Sequence, residues 1–134
     1  MKKGTRSHFF DEGKKNGAGP IVSARGFLLV LVTCPSRAAA RRLATALVKR
    51  RLAACVNILP GIESIFWWQG RIDNSREALL LIKTTSARLA RLTRAVVALH
   101  PYDLPEVLAL PVTGGHRPYL RWVASSVQPR SASR

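Results

Sequence analysis

Residues 54–68 read ACVNILPGIESIFWW, and residues 71–84 read RIDNSREALLLIKT. Both runs are rich in β-branched, aromatic and other apolar residues, and Gln69-Gly70 between them suits a tight turn. Pro60-Gly61 interrupts the first run. Because proline cannot donate to a strand ladder and glycine tolerates a bend, we expect one long strand with a kink or bulge there. The two runs therefore predict a long β-hairpin.

The length of this hairpin has a consequence for assembly. Fifteen residues at about 3.4 Å each span roughly 50 Å, whereas a domain of about 100 residues has a radius of gyration near 13 Å. The hairpin is expected to overhang its own subunit and to expose Phe66, Trp67 and Trp68 at its tip. Because a two-stranded ribbon is only marginally stable alone, we expect another chain to cover it.

The segments before the hairpin predict one strand and one helix. Residues 27–34, FLLVLVTC, form a continuous apolar run that stops at Pro35, as in a strand buried on both faces. Ser36 can cap the next helix, in which apolar residues recur at helical spacing while arginines lie elsewhere on its circumference. These arginines are interpreted as a solvated face, and a phosphate-binding stripe is the alternative.

The segments after the hairpin predict a second helix, a last strand and a terminal helix. Ser86 can cap the helix, and Pro101 ends it. Residues 107–113, VLALPVT, contain Pro111, which confines this strand to an edge or a bulge. Gly114-Gly115 is expected to break the chain before the terminal helix.

The order of these elements is β-α-β-β-α-β followed by one helix. This order predicts an α+β fold of the ferredoxin-like, split βαβ class over residues 26–127, with an overhanging hairpin and an extra C-terminal helix. The flanks, residues 1–25 and 128–134, are polar and lack apolar periodicity, so we expect a disordered basic leader and a disordered tail.

Composition and charge limit the cellular compartments and binding partners that the chain suits. A chain of 134 residues with only two cysteines is typical of one domain in a reducing cytoplasm, and its eight-residue apolar run is far shorter than the roughly 20 residues of a membrane span. The net charge is +15. Eight basic and two acidic residues lie outside residues 27–124, so the flanks hold +6 of it. Nucleic-acid binding is therefore not the favoured interpretation.

Several motifs occur in order: RLAACVNILPGIESIFWWQGR (51–71), LLLIKT (79–84), HPYDLPEVLALPV (100–112) and PYLRWV (118–123). Together they resemble the CutA divalent-cation tolerance family across residues 27–127. The resemblance implies a homotrimer of ferredoxin-like subunits, cytoplasmic in bacteria, whose long hairpins join sheets between neighbours. It implies a role in the response to divalent metal ions.

The resemblance also implies candidate metal ligands. Copper-associated members are credited with a cysteine on the first strand and two adjacent histidines before Pro-Tyr, and the matching positions here are Val32, Leu99 and His100. Cys34 shares a strand face with Val32 by alternation, so His100 and Cys34 are the candidate metal ligands. One imidazole and one displaced thiol form an incomplete copper site within one chain. No cofactor is required, and copper or another divalent cation is the candidate ion.

The segment His100–Glu106, HPYDLPE, is interpreted first as a stiff connection and second as a metal site. Pro101 and Pro105 fix their own φ angles and keep the residues before them out of helical conformation. The segment should therefore stop the second helix and deliver Glu106 in extended form towards the last strand.

The remaining candidate site is a cleft between subunits, lined by Trp68, Lys83, Tyr102 and Glu106. Its mixed apolar and charged lining suits a metal ion or a small anionic ligand. No nucleophile-and-base set and no phosphate loop is recognisable, so we do not expect an enzyme. Three functions remain open: a metal-responsive or ligand-binding trimer, a signalling or adaptor trimer, and a charge-driven nucleic-acid binder with steep salt dependence.

Overall fold

An antiparallel sheet with two helices packed on one face forms the body of the protein, whose computed structural model describes residues 21–129. The strands are β1 Ile21–Ser23, β2 Phe27–Cys34, β3 Cys55–Trp68, β4 Arg71–Thr85, β5 Leu108–Pro111 and β6 Gly114–His116. The helices are α1 Arg37–Lys49, α2 Leu89–Leu99 and α3 Arg117–Ser126. None of the helices formed within residues 21–129 has the length and apolarity needed to cross a bilayer.

The main sheet has the strand order β3-β4-β2-β5, and every neighbouring pair in it is antiparallel. With α1 after β2 and α2 after β4, this is the ferredoxin-like arrangement, so the predicted fold class is confirmed. Strand β5 is the last in this order and pairs with β2 on one side, so it lies at the edge of the sheet, as the position of Pro111 predicted.

The core lies between the sheet and the two helices. Alternate residues of the central strands point towards the helices, and the register places Val30 opposite Ile82 and Val32 opposite Leu80. All four side chains are fully buried. They pack against apolar residues of α1 and α2, namely Leu43, Leu47, Leu92 and Val96.

The two helices begin differently. The hydroxyl of Ser36 accepts a hydrogen bond from the amide of Ala39 at 3.1 Å, so the predicted cap of α1 is confirmed. The predicted cap at Ser86 is wrong: residues 86–88 form a short 3₁₀ turn, and α2 begins at Leu89 without a side-chain cap. Ser86 instead donates its amide to the carbonyl of Gly26 at 2.8 Å, which ties the end of β4 to the start of β2.

The hairpin of β3 and β4 contains the predicted kink. The pairing register shifts by one residue between Leu59 and Ile62, so two residues of β3, Pro60 and Gly61, stand opposite Ala78. Gly61 has φ of 74°, which suits glycine at a bulge. At the tip, Gln69 and Gly70 both have positive φ, as in the two-residue turn that matches the twist of a hairpin.

A second, two-stranded sheet was not predicted. Residues 21–25 were assigned to the disordered leader, but Ile21–Ser23 form β1 and pair with β6. Gly114-Gly115 was expected to break the chain and forms part of β6 instead. A Cβ at Gly115 would lie 3.2 Å from the Leu120 side chain, so glycine permits close packing of β6 on α3. Residues 1–20 and 130–134, also predicted to be disordered, lie outside the described residues.

The sheet face away from the helices is apolar too. We call it the open face; its members are Leu29, Leu31, Leu59, Leu79, Leu81, Leu108 and Leu110, which the register places together. Leu59, Leu108 and Leu110 are 51%, 57% and 43% exposed. Helix α3 covers only one end of this side of the sheet, where Trp122 and Val123 belong to a small cluster with Phe27. The open face is a large uncovered apolar surface of one chain.

Replacing Leu80 by Ala should lower the free energy of unfolding by about 2–5 kcal/mol, because a fully buried leucine on a central strand leaves a cavity. Urea unfolding at one fixed protein concentration measures the change. The matched control is Leu104→Ala: this side chain is 73% exposed, so the loss should stay below about 0.5 kcal/mol. Equal losses in the two variants would contradict the assigned core.

Candidate ligand site around Glu77

A buried carboxylate organises one end of the open face. Glu77 of β4 is only 8% exposed, and its Oε2 accepts a hydrogen bond from the Tyr102 hydroxyl at 2.7 Å. Glu77 stands opposite Ile62, directly beyond the bulge of β3. Burial and the Glu77 carboxylate both raise the pKa of the Tyr102 hydroxyl, burial more strongly, so Tyr102 remains a hydrogen-bond donor.

A second carboxyl group lies near the first. Burial, and then the negative charge of Glu77, raise the pKa of Glu106, while a hydrogen bond from the Thr33 side chain acts in the opposite direction. Two carboxylates that share a partly dry environment repel each other, and a proton or a bound cationic group relieves that repulsion. The protonation of Glu106 therefore depends on the charge of any group that binds beside it.

His100 holds the connection that carries Tyr102. Its Nδ1 accepts a hydrogen bond from the amide of Tyr102 at 3.0 Å, so the ring proton of a neutral imidazole sits on Nε2. Nε2 then donates to the carbonyl of Thr33 at 2.7 Å. The rings of His100 and Tyr102 also lie 4.7 Å apart, tilted by 45°. His100 is thus buried and links β2 to the segment after α2 through hydrogen bonds.

The proposed metal ligands do not fit a copper site within one chain. Both ring nitrogens of His100 are engaged in hydrogen bonds. Cys34 is fully buried, and burial, followed by the charge of Glu77, raises the pKa of its thiol to about 11. A thiol that stays protonated at neutral pH is a poor metal ligand. Within residues 21–129 no group of three or more His, Cys, Asp or Glu residues is arranged to hold a metal ion.

The four residues predicted to line a cleft are only partly brought together. Tyr102 and Glu106 both interact with Glu77. Lys83 lies six residues further along β4, and Trp68 pairs with Arg71, six residues before Glu77, so each is about 20 Å from Glu77 along the strand. A single chain therefore presents half of the predicted cleft.

Lys83 makes its own small polar cluster. Its ammonium group donates to the side-chain oxygen of Asn57 and lies 3.9 Å from the sulfur of Cys55. Lys83 is half-buried, and strand alternation places it on the same sheet face as the leucines of the open face. A positive charge in this apolar setting favours a nearby anion.

Sequence reasoning did not select Glu77 as a site residue. The available signal was a charged residue opening the apolar run EALLLI in a chain with only seven acidic residues. Its burial depends on Tyr102, 25 positions later, which no local pattern shows.

The fold defines a class: a ferredoxin-like domain with a long β-hairpin. Residues 28–126 match the family model described as CutA1 divalent ion tolerance protein. The chain belongs to this family, as the resemblance predicted.

Individual relatives agree. The chain is 53% identical over 95 residues to the divalent-cation tolerance protein CutA of Thermus thermophilus, covering 71% of this chain and 92% of that protein. It is 48% identical over 101 residues to the chloroplastic protein CutA 1 of Oryza sativa, covering 75% of this chain and 57% of that protein. It thus spans little more than half the length of the plant relative. The crystal structure of CutA1 from Oryza sativa has a TM-score of 0.76 at 47% identity, covering 78% of this chain and 95% of that one.

Replacing Glu106 by Gln should stabilise the protein more at neutral than at acidic pH. Because the pKa of Glu106 is higher in the folded than in the unfolded chain, stability falls as pH rises from the ordinary Glu value of about 4.3 to the raised value. Glutamine keeps the shape without this charge. Urea unfolding of both proteins at about pH 3.5 and 7.5 brackets the ordinary Glu pKa. The same difference in unfolding free energy at both pH values would contradict the carboxylate pair.

Proposed function

We propose that this protein acts in divalent-cation tolerance as a non-enzymatic homotrimer that binds a small anionic ligand in clefts between subunits. The observation that carries the proposal is the division of the site: Tyr102 and Glu106 meet at Glu77, while Lys83 and Trp68 lie about 20 Å away on opposite sides along β4. In this proposal, residues from different copies complete the site.

The exposed apolar surfaces support assembly. The open face offers leucines on all four strands of the main sheet, and the hairpin tip exposes Trp67 by 72% and Ile65 by 71%. Closed cyclic symmetry would cover the open face of each copy and the overhanging hairpin with the same interface. In the proposed trimer, the hairpin tip of one copy brings Trp68 to the cleft of its neighbour.

The polar groups favour an anion over a copper ion as the direct ligand. Lys83 supplies a positive charge, and the carboxyl of Glu106 can donate a hydrogen bond when it is protonated. His100 and Cys34 serve the fold instead, so in this proposal the link to metal tolerance is indirect and no resident cofactor is needed. We further propose the cytoplasm as the compartment, since Cys34 and Cys55 are both free.

The ligand proposal is tested by thermal unfolding with a panel of small carboxylates, phosphates and divalent cations. At least one anion should raise the melting temperature, because a ligand at 100 times its Kd adds about 2.7 kcal/mol of stability. Lys83→Gln should abolish this rise. The matched control Lys49→Gln removes the same charge from the exposed surface of α1 and should keep it.

Two results would overturn the ligand proposal. The first is that no anion in the panel shifts the melting temperature of the wild-type protein. The second is tight Cu(II) binding by calorimetry that is lost in His100→Ala, which would return the function to direct copper binding at this histidine.

Replacing Trp67 and Trp68 together by Ala should weaken the assembly, because truncating interface aromatics often costs about 2 kcal/mol or more. Sedimentation velocity over a concentration series measures the shift towards monomer. The control Val97→Ala shortens an apolar side chain that is 55% exposed on α2, away from the open face, and should leave the assembly unchanged. A wild-type protein that sediments as a monomer at micromolar concentration would contradict the trimer.

A further inference from the structure

The helices on the far side of the sheet carry charge of one sign. Residues 35–54, which include α1, contain six arginines and lysines, and residues 86–100, which include α2, contain three arginines. Neither segment contains an acidic residue. We call this surface the basic layer; its members are Arg37, Arg41, Arg42, Lys49, Arg50, Arg51, Arg88, Arg91 and Arg94.

The acidic residues of the described chain all lie outside this layer. Glu63 and Asp73 belong to the hairpin, Glu77 and Glu106 to the candidate site, and Asp103 to the connection after α2. Within residues 21–129, therefore, neither helix supplies a carboxylate to its own arginines. Charge is divided between regions of the fold, which composition alone does not show.

The two helices place their charges side by side. The hydroxyl of Thr84 donates to the carbonyl of Leu52 at 2.7 Å, so the start of α2 lies beside the end of α1. Arg88 and Arg91 belong to the start of α2 and Lys49 and Arg50 to the end of α1, while Arg37 and Arg41 lie at the other end of α1. The layer is basic along its whole length.

The spacing of the charges has a cost that the fold does not offset. Arg37 and Arg41 are four residues apart, and Arg88, Arg91 and Arg94 follow at intervals of three. Like charges at these spacings weaken a helix, and a cation in the first turn of α1 opposes the helix dipole. Eight of the nine basic side chains are exposed, and Arg88 is half-buried. An extended anionic partner would compensate these charges.

One member of the layer also has a structural role. The guanidinium of Arg51 donates to the carbonyl of Ser126 at 3.1 Å, which ties the end of α1 to the end of α3. Arg51 is therefore a poor choice for a test of binding, because its removal would disturb the fold.

The residues between the charges indicate which polyanion fits. Neither α1 nor α2 contains an aromatic residue, so the layer has no platform on which single-stranded bases could stack. It also lacks the Trp and Phe side chains that anchor interfacial helices in lipid. The exposed residues among the arginines are small, namely Ala38, Thr45, Ala90 and Ala98. No bulky side chain therefore keeps the rigid phosphate backbone of a duplex away from this surface.

We propose that the basic layer binds the phosphate backbone of double-stranded nucleic acid without regard to base sequence. The layer lies on the sheet face opposite the open face, so it stays accessible if further copies cover the leucines. It uses none of the residues assigned to the ligand cleft. The proposal therefore stands or falls independently of the proposed function. It also revises the solvated-face interpretation, which considered α1 without α2 beside it.

The test measures duplex affinity by fluorescence anisotropy with the full chain. Labelled DNA duplexes of about 25 base pairs, in two unrelated sequences, are titrated between about 50 and 200 mM salt, where counterion release changes affinity strongly. The variant Arg41→Gln/Arg91→Gln removes one exposed charge from each helix. The matched control Arg25→Gln/Arg121→Gln removes two exposed charges outside the layer, so both have the same net charge. Equal melting temperatures show that both variants fold.

The expected result is binding that does not depend on sequence, with a salt slope reduced by about 2 in the layer variant and little changed in the control, one unit for each phosphate contact. A parallel titration with duplex RNA shows which duplex the layer prefers. Three results would overturn the proposal: no duplex binding by wild type at low salt, equal losses in both variants, or tighter binding to a single strand or to phosphatidylglycerol vesicles than to either duplex.

Discussion

The structure depends on a sheet that is apolar on both faces. Strand β2 is an almost uninterrupted run of apolar residues, so the side that meets the helices and the side that does not are equally unsuited to water. Helices α1 and α2 satisfy the first side with a packed core that includes Val32 and Leu80. The second side has only α3 at one end. One chain therefore leaves part of the apolar surface of its sheet exposed to water, and the placement of the other groups follows from this exposure.

The distribution of polar groups follows from the same constraint. Carboxylates that lie near the uncovered side, Glu77 and Glu106, are partly dehydrated and hydrogen-bonded to Tyr102 and Thr33. Arginines collect on the outer surface of the helices, where water and any polyanion reach them. A ligand between copies and a nucleic acid outside them would therefore use opposite sides of one sheet and would not compete for space.

Much of the fold could be predicted because its signals are local. The hairpin, its kink at Pro60-Gly61, the cap at Ser36 and the end of α2 before Pro101 each depend on a few neighbouring residues. The errors involve contacts between distant segments. The amide of Ser86 is tied to Gly26, β1 pairs with β6, and Glu77 is buried by Tyr102. For the same reason the sequence could place Tyr102 and Glu106 together, since they share a segment, but could not place Lys83 and Trp68 relative to them.

The bulge in β3 also sets the phase of the hairpin. Before Pro60, odd-numbered residues of β3 stand opposite odd-numbered residues of β4. After Gly61, even-numbered residues of β3 stand opposite odd-numbered residues of β4, so Phe66 and Trp68 lie on the same side of the hairpin as Glu77. Continuous pairing through this position, with Pro60 opposite Ala78 and Gly61 opposite Glu77, would turn the outer half of β3 over. Trp67 and Ile65 would then take the places of Trp68 and Phe66. The side chains that the hairpin tip offers to a neighbouring molecule are thus selected by the one extra residue at Pro60-Gly61, which lies far from the tip.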